Sequence, residues 1–171
     1  MYKVKMDGQT LYYPGDKEAV LTNPTLNLQT GYAGTFEFSV PPNNPLYDKI
    51  KNRSSMVSVF RDTTELFYGE VRKQPKVDRY RNKNVYCAGA MSFLADSIQP
   101  QAEYHDMTPR QMLETFLDIH NNQVEDRKKV YLGKVTITDA NDSLYRYTNF
   151  ENTLKAIREK LVEKLGGYLK L

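Results

Sequence analysis

Thr35-Phe36-Glu37-Phe38-Ser39-Val40 alternates polar and apolar side chains without interruption. Successive side chains of a β-strand point to opposite faces, so the alternation places Phe36, Phe38 and Val40 on one face. Pro41 follows directly and ends the strand, because proline cannot donate a hydrogen bond to a β-ladder. The stretch therefore predicts a β-strand with one apolar face.

Most of the first hundred residues have similar patterns. Two apolar-rich runs joined by the polar residues 62–64 are typical of a β-hairpin. Residues 46–51 fit one helical turn that brings Leu46 and Ile50 together. The strands predicted besides residues 35–40 are residues 26–28, 56–61, 65–72 and 85–91. We therefore predict a β-rich domain over residues 1–100.

The pattern changes to helical spacing after Ser92. Thr108 is followed by Pro109 and, three positions on, by Gln111, which is the sequence signature of a capped helix start. Apolar residues and His120 follow at helical spacing to form the face of a first helix, namely Met112, Leu113, Phe116, Leu117 and His120. This predicts a helix that begins after Thr108.

A second helix is predicted to begin near Asn149 and to end at Gly166, a residue suited to the left-handed conformation of a helix end. Its predicted apolar face contains Phe150, Leu154, Ile157, Leu161 and Leu165. Val135 and Ile137 alternate in a short predicted strand, residues 134–138, and residues 168–171 begin another alternation. We therefore expect an α/β domain over residues 101–171, apparently truncated at a strand. The predicted fold class is α+β, mainly β, with an antiparallel β-barrel-like domain followed by a smaller α/β domain with two helices.

Composition excludes several protein classes. The chain has 171 residues and a single cysteine, Cys87, which rules out an intramolecular disulfide scaffold and a cysteine-rich zinc site. Two histidines leave little for a histidine-based metal centre. No apolar run approaches the roughly 20 residues needed to span a bilayer, and the first residues do not resemble a signal peptide. We expect a protein made in the cytoplasm, without membrane insertion.

The positive charge is concentrated in one segment. The formal net charge is +3, from 24 basic and 21 acidic residues. The cations of this basic segment are Arg72, Lys73, Lys76, Arg79, Arg81 and Lys83. Such a cluster could contact phosphates, or it could be a solvated hairpin whose cations keep an edge strand from pairing with other chains. The run is short, which favours the solvated hairpin.

Catalytic, cofactor and metal residues are not predicted. The glycines form neither a dinucleotide-binding nor a phosphate-binding loop, and no serine lies in a nucleophile-elbow context. His105 precedes a helix cap, His120 lies near a helix end where the dipole favours it, and Cys87 fits a small core residue. Asp139 and Asp142 favour a turn over a calcium loop, because neither their spacing nor the ligand count fits calcium.

Tyrosine is the enriched side chain, with 13 copies. Tyrosines could stack on bases or sugars, but strand faces and protein interfaces use them as readily. Both interpretations apply to Tyr12, Tyr13, Tyr68, Tyr80, Tyr86, Tyr145 and Tyr147. We favour the strand and interface interpretation, which describes a β-rich interaction module.

Several segments occur in an order that resembles a known family. They are GTFEFSVPP (residues 34–42) with NPLYDKIK (44–51), LFYGEVR (66–72), YCAGAMSFLADS (86–97) and LVEKLGGYL (161–169). This order is similar to the N-terminal region of phage minor structural proteins, also called prophage endopeptidase tail or tail-associated lysin proteins, of long-tailed phages that infect Gram-positive bacteria. The likeness covers nearly all of residues 1–171.

The resemblance implies a structural role at the virion tail tip. In that family the region forms a trimeric baseplate or tail-tip hub of β-barrel-like domains with α/β insertions, below the tail tube and the distal tail protein. Expected partners are therefore the chain itself as a homotrimer, the distal tail protein and other tail proteins, with DNA only in transit. No catalytic motif belongs to this region, and any hydrolase activity would lie in a C-terminal region outside this chain.

Two alternatives stay open from the sequence: part of a peptidoglycan hydrolase, or a nucleic-acid-binding module that uses the basic segment and the tyrosines. The hydrolase predicts turnover that is lost when one acid or histidine is changed. The nucleic-acid module predicts affinity that falls steeply with salt. Under the hub interpretation, we hypothesise that Arg79, Arg81 and Lys83 lie at a hairpin tip that faces the channel or a neighbouring tail protein.

Overall fold

A computed structural model describes residues 1–140 and 145–171. The chain divides into two compact units, Met1–Ala90 and Met91–Leu171, here called the sheet unit and the helical unit. The sequence-based boundary lay at residue 100, whereas this division falls after Ala90. Asp142 lies outside the described residues, so its predicted turn is not assessed.

The sheet unit is an antiparallel sheet curled into a half-barrel. Its strands are β1 (Tyr2–Met6), β2 (Gln9–Tyr12), β3 (Thr22–Asn27), β4 (Thr35–Val40), β5 (Met56–Arg61), β6 (Thr64–Val71), β7 (Lys76–Val77) and β8 (Lys83–Gly89). They pair in the order β2-β1-β5-β6-β8-β4-β3, with β7 alongside β8. The predicted hairpin is confirmed as β5–β6, and the predicted fold class, mainly β with a few helices, is confirmed.

One apolar cluster fills the concave side of this sheet. Phe36, Phe38 and Val40 on β4 are all buried, as the alternation predicted. The Phe36 ring centroid lies 4.8 Å from that of Phe38 and 6.1 Å from that of Phe67 on β6. Fully burying such a side chain contributes roughly 1.5–3 kcal/mol. Apolar burial is therefore the main stabilising term in the sheet unit.

Two glycines on neighbouring strands leave room for the Phe67 ring. Gly69 on β6 pairs with Gly89 on β8, and a Cβ atom at Gly69 would lie 2.6 Å from the Phe67 ring. A Cβ atom at Gly89 would lie 1.8 Å from the carbonyl oxygen of Ala33, and the Gly89 N–H donates to the carbonyl of Gly34. Three of the segments that carry the family resemblance therefore meet at one packed junction.

Both outer strands of the sheet are protected against pairing with another chain. Along β2, the buried Asn44 donates from Nδ2 to the carbonyls of Leu11 and Val20, at 2.9 and 3.0 Å. On the other side, β3 contains Pro24 and a register shift. Proline and irregular pairing discourage strand addition. Contacts through side chains are therefore more accessible to this unit than edge-to-edge pairing.

The helical unit combines short helices with a two-stranded sheet. Its elements are β9 (Ala102–Tyr104), α1 (Pro109–Asn121), β10 (Arg146–Thr148), α2 (Thr153–Ile157) and α3 (Glu163–Leu165). A π-helical stretch, Arg158–Val162, connects α2 and α3. Short 3₁₀ turns occupy Tyr47–Lys49 in the sheet unit, Ala90–Ala95 at the division and Asp126–Lys128 in the helical unit.

The predicted start of α1 is confirmed with its capping box. Thr108 Oγ1 accepts a hydrogen bond from the Gln111 N–H, and Gln111 Oε1 accepts one from the Thr108 N–H. The helix buries Met112, Phe116 and His120. The predicted periodicity therefore identified its inward face.

The start of the second helix was predicted too early. Phe150 has a positive φ of 59° and is 64% exposed, so it is not part of an apolar helix face. Asn152 is the cap, and its side chain accepts a hydrogen bond from the Lys155 N–H at 2.9 Å. The end at Gly166, with φ 79°, is as predicted.

Several predicted strand ends also differ from the structure. Leu28 lies beyond β3 and is 55% exposed, and β8 ends at Gly89 before a 3₁₀ turn. Residues 135–137 and 168–171 form no ladder among the described residues. Val135 and Ile137 are half-buried and line an apolar cavity instead. Their alternation therefore reflects packing against the cavity, not pairing in a sheet.

Candidate functional site

The basic segment contains a short hairpin. On β7 and β8, Lys76 pairs with Asn84 and Val77 with Lys83, so residues 78–82 form the tip. We call residues 72–84 the basic hairpin. The tip therefore contains two of its six cations, Arg79 and Arg81, whereas Lys83 is on a strand.

Asp78 holds the tip in one conformation. Its Oδ1 atom accepts hydrogen bonds from the backbone N–H groups of Tyr80 and Asn82, at 2.8 and 2.9 Å. Its Oδ2 atom accepts one from Asn82 Nδ2 at 3.1 Å. The side-chain hydrogen bond from Asn82, followed by the backbone ones, lowers the pKa of Asp78. Arg81 has a left-handed φ of 68°, so the turn depends on this local bonding.

The 3₁₀ turn at Tyr47–Lys49 supports the hairpin from the side. Tyr47 Oη donates to the carbonyl of Arg81 at 2.6 Å. Lys83 Nζ donates to the carbonyl of Tyr47 at 2.6 Å and lies 3.1 Å from a carboxylate oxygen of Asp48. Lys83 therefore serves the fold, because its charge is already paired within the sheet unit.

Arg72 is also paired internally. Its Nε atom lies 3.0 Å from Oε2 of Glu70, a fully buried carboxylate. Removing one partner of a buried ion pair typically costs about 3–5 kcal/mol, since it leaves an uncompensated charge. Lys73 lies over Tyr86, with Nζ 4.1 Å from the ring centroid. The sequence grouped Lys83 with Arg79 and Arg81 at the tip, whereas the structure separates cations with internal partners from exposed ones.

The exposed residues of the basic hairpin have the composition of a binding surface. Lys76, Arg79 and Arg81 are exposed, and Arg79 Cζ lies 4.7 Å from the centroid of the Tyr80 ring. Val77 and Tyr80 are 57% and 67% exposed. This hairpin combines cations with apolar side chains on a fixed backbone. That it faces a channel or a partner stays a prediction.

A second cluster, in the helical unit, contains the residue types of a nucleophile and a base. Ser97 Oγ lies 2.7 Å from Nδ1 of His120 and 2.6 Å from Oγ1 of Thr153. Gln99 Nε2 donates to Thr153 Oγ1 at 2.7 Å. The sequence analysis missed this cluster, because its members come from three separated segments and none lies in a recognisable motif.

The geometry of this cluster is that of a buried core network. His120 Nε2 lies 3.1 Å from the carbonyl of Lys128, to which it donates, so Nδ1 is left to accept from Ser97. His120 is fully buried and Ser97 is 1% exposed, which leaves no access for a substrate. Burial lowers the pKa of His120. Burial favours the neutral ring, and the two hydrogen bonds of that ring account for the position of His120; a favourable contact with the helix dipole stays a prediction.

The cysteine, the second histidine and Asp139 have surroundings typical of residues without a catalytic or metal-binding role. Cys87 is buried, and burial raises the pKa of its thiol far above the usual range, as expected of a core residue. His105 Nε2 lies 3.8 Å from Glu103 Oε2, and both side chains are exposed. Asp139 forms an ion pair with Arg146. Among residues 1–140 and 145–171, no group of three or more potential metal ligands occurs.

Exposed aromatic rings line one side of the small β9–β10 sheet. The ring centroid of Tyr145 lies 5.0 Å from that of His105 and 6.0 Å from that of Tyr147. Lys160 Nζ lies 4.6 Å from the centroid of Tyr147. Burial, followed by a hydrogen bond to Glu103, raises the pKa of Tyr145. These rings contact one another and neighbouring side chains, so no ligand is needed to explain them.

The helical unit also contains an apolar cavity of about 360 Å³. Leu113, Leu117, Ile157 and Leu161 line it together with residues 130–137, Leu165 and residues 167–171. In the described part of the chain, no helix is long and apolar enough to cross a membrane. The cavity includes no residue of the basic hairpin and none of the buried Ser97–His120 cluster.

No protein-family model matches the chain. No curated protein matches it either. Solved structures do match.

The chain is similar to a prophage MuSo2 43 kDa tail protein from Shewanella oneidensis, with a TM-score of 0.55 and 14% identity over 95% of this chain and 47% of that one. It is also similar to a tail protein from Neisseria meningitidis MC58, with a TM-score of 0.50 and 14% identity over 68% of this chain and 33% of that one. The chain therefore shares its fold with these two tail proteins.

This fold agrees with the family resemblance found in the sequence, which pointed to phage tail proteins. At 14% identity the comparison establishes the fold alone. The chain spans less than half the length of either tail protein. Activities and partners are therefore a separate question.

Proposed function

We propose that this protein is a structural component of a phage tail and, more specifically, of a siphophage-type tail tip or baseplate hub. The similarity of its fold to two phage tail proteins is the observation that carries the proposal. In this role the protein connects the tail tube to host-facing tail proteins and performs no reaction.

The positions of the motif residues support a structural role. Gly69 and Gly89 pair at the packed junction under Phe67, and Asn44 satisfies backbone carbonyls beside β2. These residues fix backbone geometry and do not converge on a cleft. The serine–histidine pair at Ser97 and His120 is buried and fully hydrogen-bonded. The features common to the resemblance are therefore explained by folding.

The proposed partners are those of a tail hub. They are further copies of the chain in a homotrimer, the distal tail protein and other tail proteins, with DNA passing only in transit. The protein is made in the bacterial host cytoplasm from a phage or prophage gene and ends in the virion tail tip. A closed ring pairs each assembly surface with a neighbouring copy and leaves none free. Such a ring can form through side-chain contacts, so it does not require strand pairing at the protected edges of this sheet.

A nonsense mutation in the gene of the phage that encodes the chain tests the proposal. We expect particles that lack a complete tail tip and do not infect, and recovery of infectivity when the intact gene is supplied in trans. Negative-stain microscopy and plaque counts measure both. Infectious particles of normal morphology without the chain would overturn the structural role.

A separate assay tests the absence of catalysis. We expect the purified chain to release no muropeptides or peptide fragments from peptidoglycan. The Ser97→Ala variant serves as the matched control, because it removes the hydroxyl of the serine–histidine pair. Turnover by the wild type that disappears in Ser97→Ala would favour the hydrolase alternative and contradict the proposal.

A further inference from the structure

The tip of the basic hairpin presents side chains that dominate protein interfaces. We call residues 77–81 the finger. Tyr80 is 67% exposed and Val77 is 57% exposed, and Arg79 and Arg81 flank the tyrosine. Tyrosine and arginine are enriched among the residues that contribute most to binding. Asp78 already orders the backbone, so docking the finger costs little conformational entropy.

The pairing of its cations makes the hairpin a weak candidate for binding DNA. Arg72 and Lys83 are neutralised by carboxylates of the same unit. Nucleic-acid affinity depends mainly on cations that neutralise phosphates, and the finger adds exposed apolar surface that phosphates do not use. The combination favours a protein surface of negative charge with an apolar contact for Tyr80.

Helix α1 carries an exposed surface of the required charge. Glu114 and Asp118 are exposed and lie four positions apart, so their Cβ atoms are roughly 5–6 Å from each other on one helix face. Like charges at this spacing destabilise a helix, and a carboxylate in the last turn is disfavoured by the helix dipole. In the described part of the chain neither has an ion-pair partner. The exposed Arg110 lies one turn before Glu114 but forms no ion pair with it among the described residues, so both carboxylates are available to a partner.

The finger and the acidic face are complementary in charge. Arg79 and Arg81 are two exposed cations two positions apart in the turn, and the acidic face offers two carboxylates one helical turn apart. Each pair carries like-charge repulsion that the opposite pair relieves. Because β2 and β3, the strands at the two ends of the main strand order, hinder strand addition, a side-chain contact is favoured over strand pairing at those edges.

We propose that the finger of one copy docks on the acidic face of α1 in a second copy. The two arginines pair with the two carboxylates, and Tyr80 packs against the helix between them. The contact is heterologous, since it joins different surfaces of the two copies. The inference deepens the proposed assembly role and rests on it for its biological meaning.

Sedimentation velocity of the purified full chain over a concentration series, at low and physiological salt, tests the contact. We expect self-association that weakens with salt. The double variant Arg79→Glu with Arg81→Glu should raise the dissociation constant about 100-fold or more, because like charges then face each other. The reciprocal variant Glu114→Arg with Asp118→Arg should weaken association similarly. Combining all four substitutions should restore the dissociation constant to within about tenfold of wild type.

Two further variants separate specific from general effects. Lys17→Glu with Lys164→Glu changes the net charge by the same amount at exposed positions outside both surfaces, and it should leave association unchanged. Tyr80→Ala should weaken association about tenfold without changing net charge. Thermal unfolding midpoints equal to wild type show that each variant is folded.

A wild type that is monomeric at every concentration would overturn the inference. So would association that survives the arginine reversals, or loss of association that the four-substitution variant does not rescue. Tight binding of double-stranded DNA with a salt slope of several phosphates, abolished by the same reversals, would assign the finger to nucleic acid instead. The nonsense-mutation test above does not depend on the finger, so the docking contact and the tail role can fail separately.

Discussion

The two units of this protein are stabilised in different ways. The sheet unit surrounds one continuous apolar cluster that includes Phe36, Phe38 and Phe67. The helical unit also has an apolar core, but its centre contains a hydrogen-bonded chain from Gln99 through Thr153 and Ser97 to His120. A buried polar chain depends on every partner being present. The stability of the sheet unit therefore depends mainly on the shape of its apolar core, with the buried Glu70–Arg72 pair as a polar exception, whereas that of the helical unit depends on a chain of individual polar atoms and on pH.

The largest loss of stability is predicted for a substitution that disrupts the packing of the sheet unit. Gly89→Ala would place a Cβ atom 1.8 Å from the carbonyl oxygen of Ala33, which the backbone must move to avoid. We expect a loss of about 3 kcal/mol or more in the free energy of unfolding. Chemical denaturation measures it.

Gly133→Ala is the matched control for that experiment. A Cβ atom at Gly133 has no neighbour within 4 Å, so the change should lie within about 0.5 kcal/mol of wild type. Equal stability of the Gly89→Ala and wild-type proteins would show that the glycine junction is not tightly packed.

The next effect concerns the polar chain of the helical unit. Ser97→Ala removes the hydroxyl that donates to His120 Nδ1 and leaves that buried acceptor unsatisfied. The expected cost is about 1–3 kcal/mol. Thr136→Ala changes an exposed hydroxyl in the same unit and should cost less than about 0.5 kcal/mol. Equal denaturation midpoints for the two variants would contradict the role of the network.

The sequence predicted the structural features that depend only on residues close together in the chain. Alternation identified β4, and the spacing of Thr108 and Gln111 identified the start of α1, because both signals are complete within a few residues. The hydrogen-bonded chain of the helical unit was missed, since Ser97 and Thr153 are separated by 56 positions. Phe150 was assigned to a helix because its spacing fits, although the cap at Asn152 excludes it.

The basic hairpin shows the same limit at the candidate site. Its location at a turn could be predicted from the polar residues between two runs. The neutralisation of Lys83 could not, because Asp48 is 35 positions away and reaches the hairpin only through the 3₁₀ turn. Pairing by distant carboxylates decides which cations are available to a partner.

Acid should weaken the helical unit more than the sheet unit. Burial lowers the pKa of His120 from its usual 6.5, so the unfolded chain binds the proton more readily than the folded one. Stability is therefore fully present above pH 6.5 and is lost as the pH falls through the folded pKa. The largest slope expected is about 1.4 kcal/mol per pH unit.

Chemical denaturation of wild type and of His120→Gln at a series of pH values below 7.5 measures the contribution of His120 to the pH dependence of stability. Each protein is compared with its own free energy of unfolding at neutral pH. Both histidines of the chain lie in the helical unit, and the exposed His105 provides the control variant His105→Gln. A pH dependence unchanged by His120→Gln, or abolished by His105→Gln, would show that the network does not titrate as described.

The smallest effect tests the corrected helix start. Asn152→Ala removes the side-chain cap on Lys155 and should cost about 1 kcal/mol. Asn149→Ala is the control, because the earlier predicted start gives it the capping role that the structure gives to Asn152. The reverse order of the two costs, measured by thermal denaturation, would restore the helix start at Asn149.

The proposed function requires the protein to be a structural part of a phage tail that catalyses no reaction there. Electron cryomicroscopy of purified particles from the phage or prophage that encodes the chain is the sharpest test. We predict density for the curled sheet unit in a ring around the tail channel, at the tip of the tail. Particles whose tail tip contains no copy of the chain, in density good enough to trace the neighbouring proteins, would contradict the account.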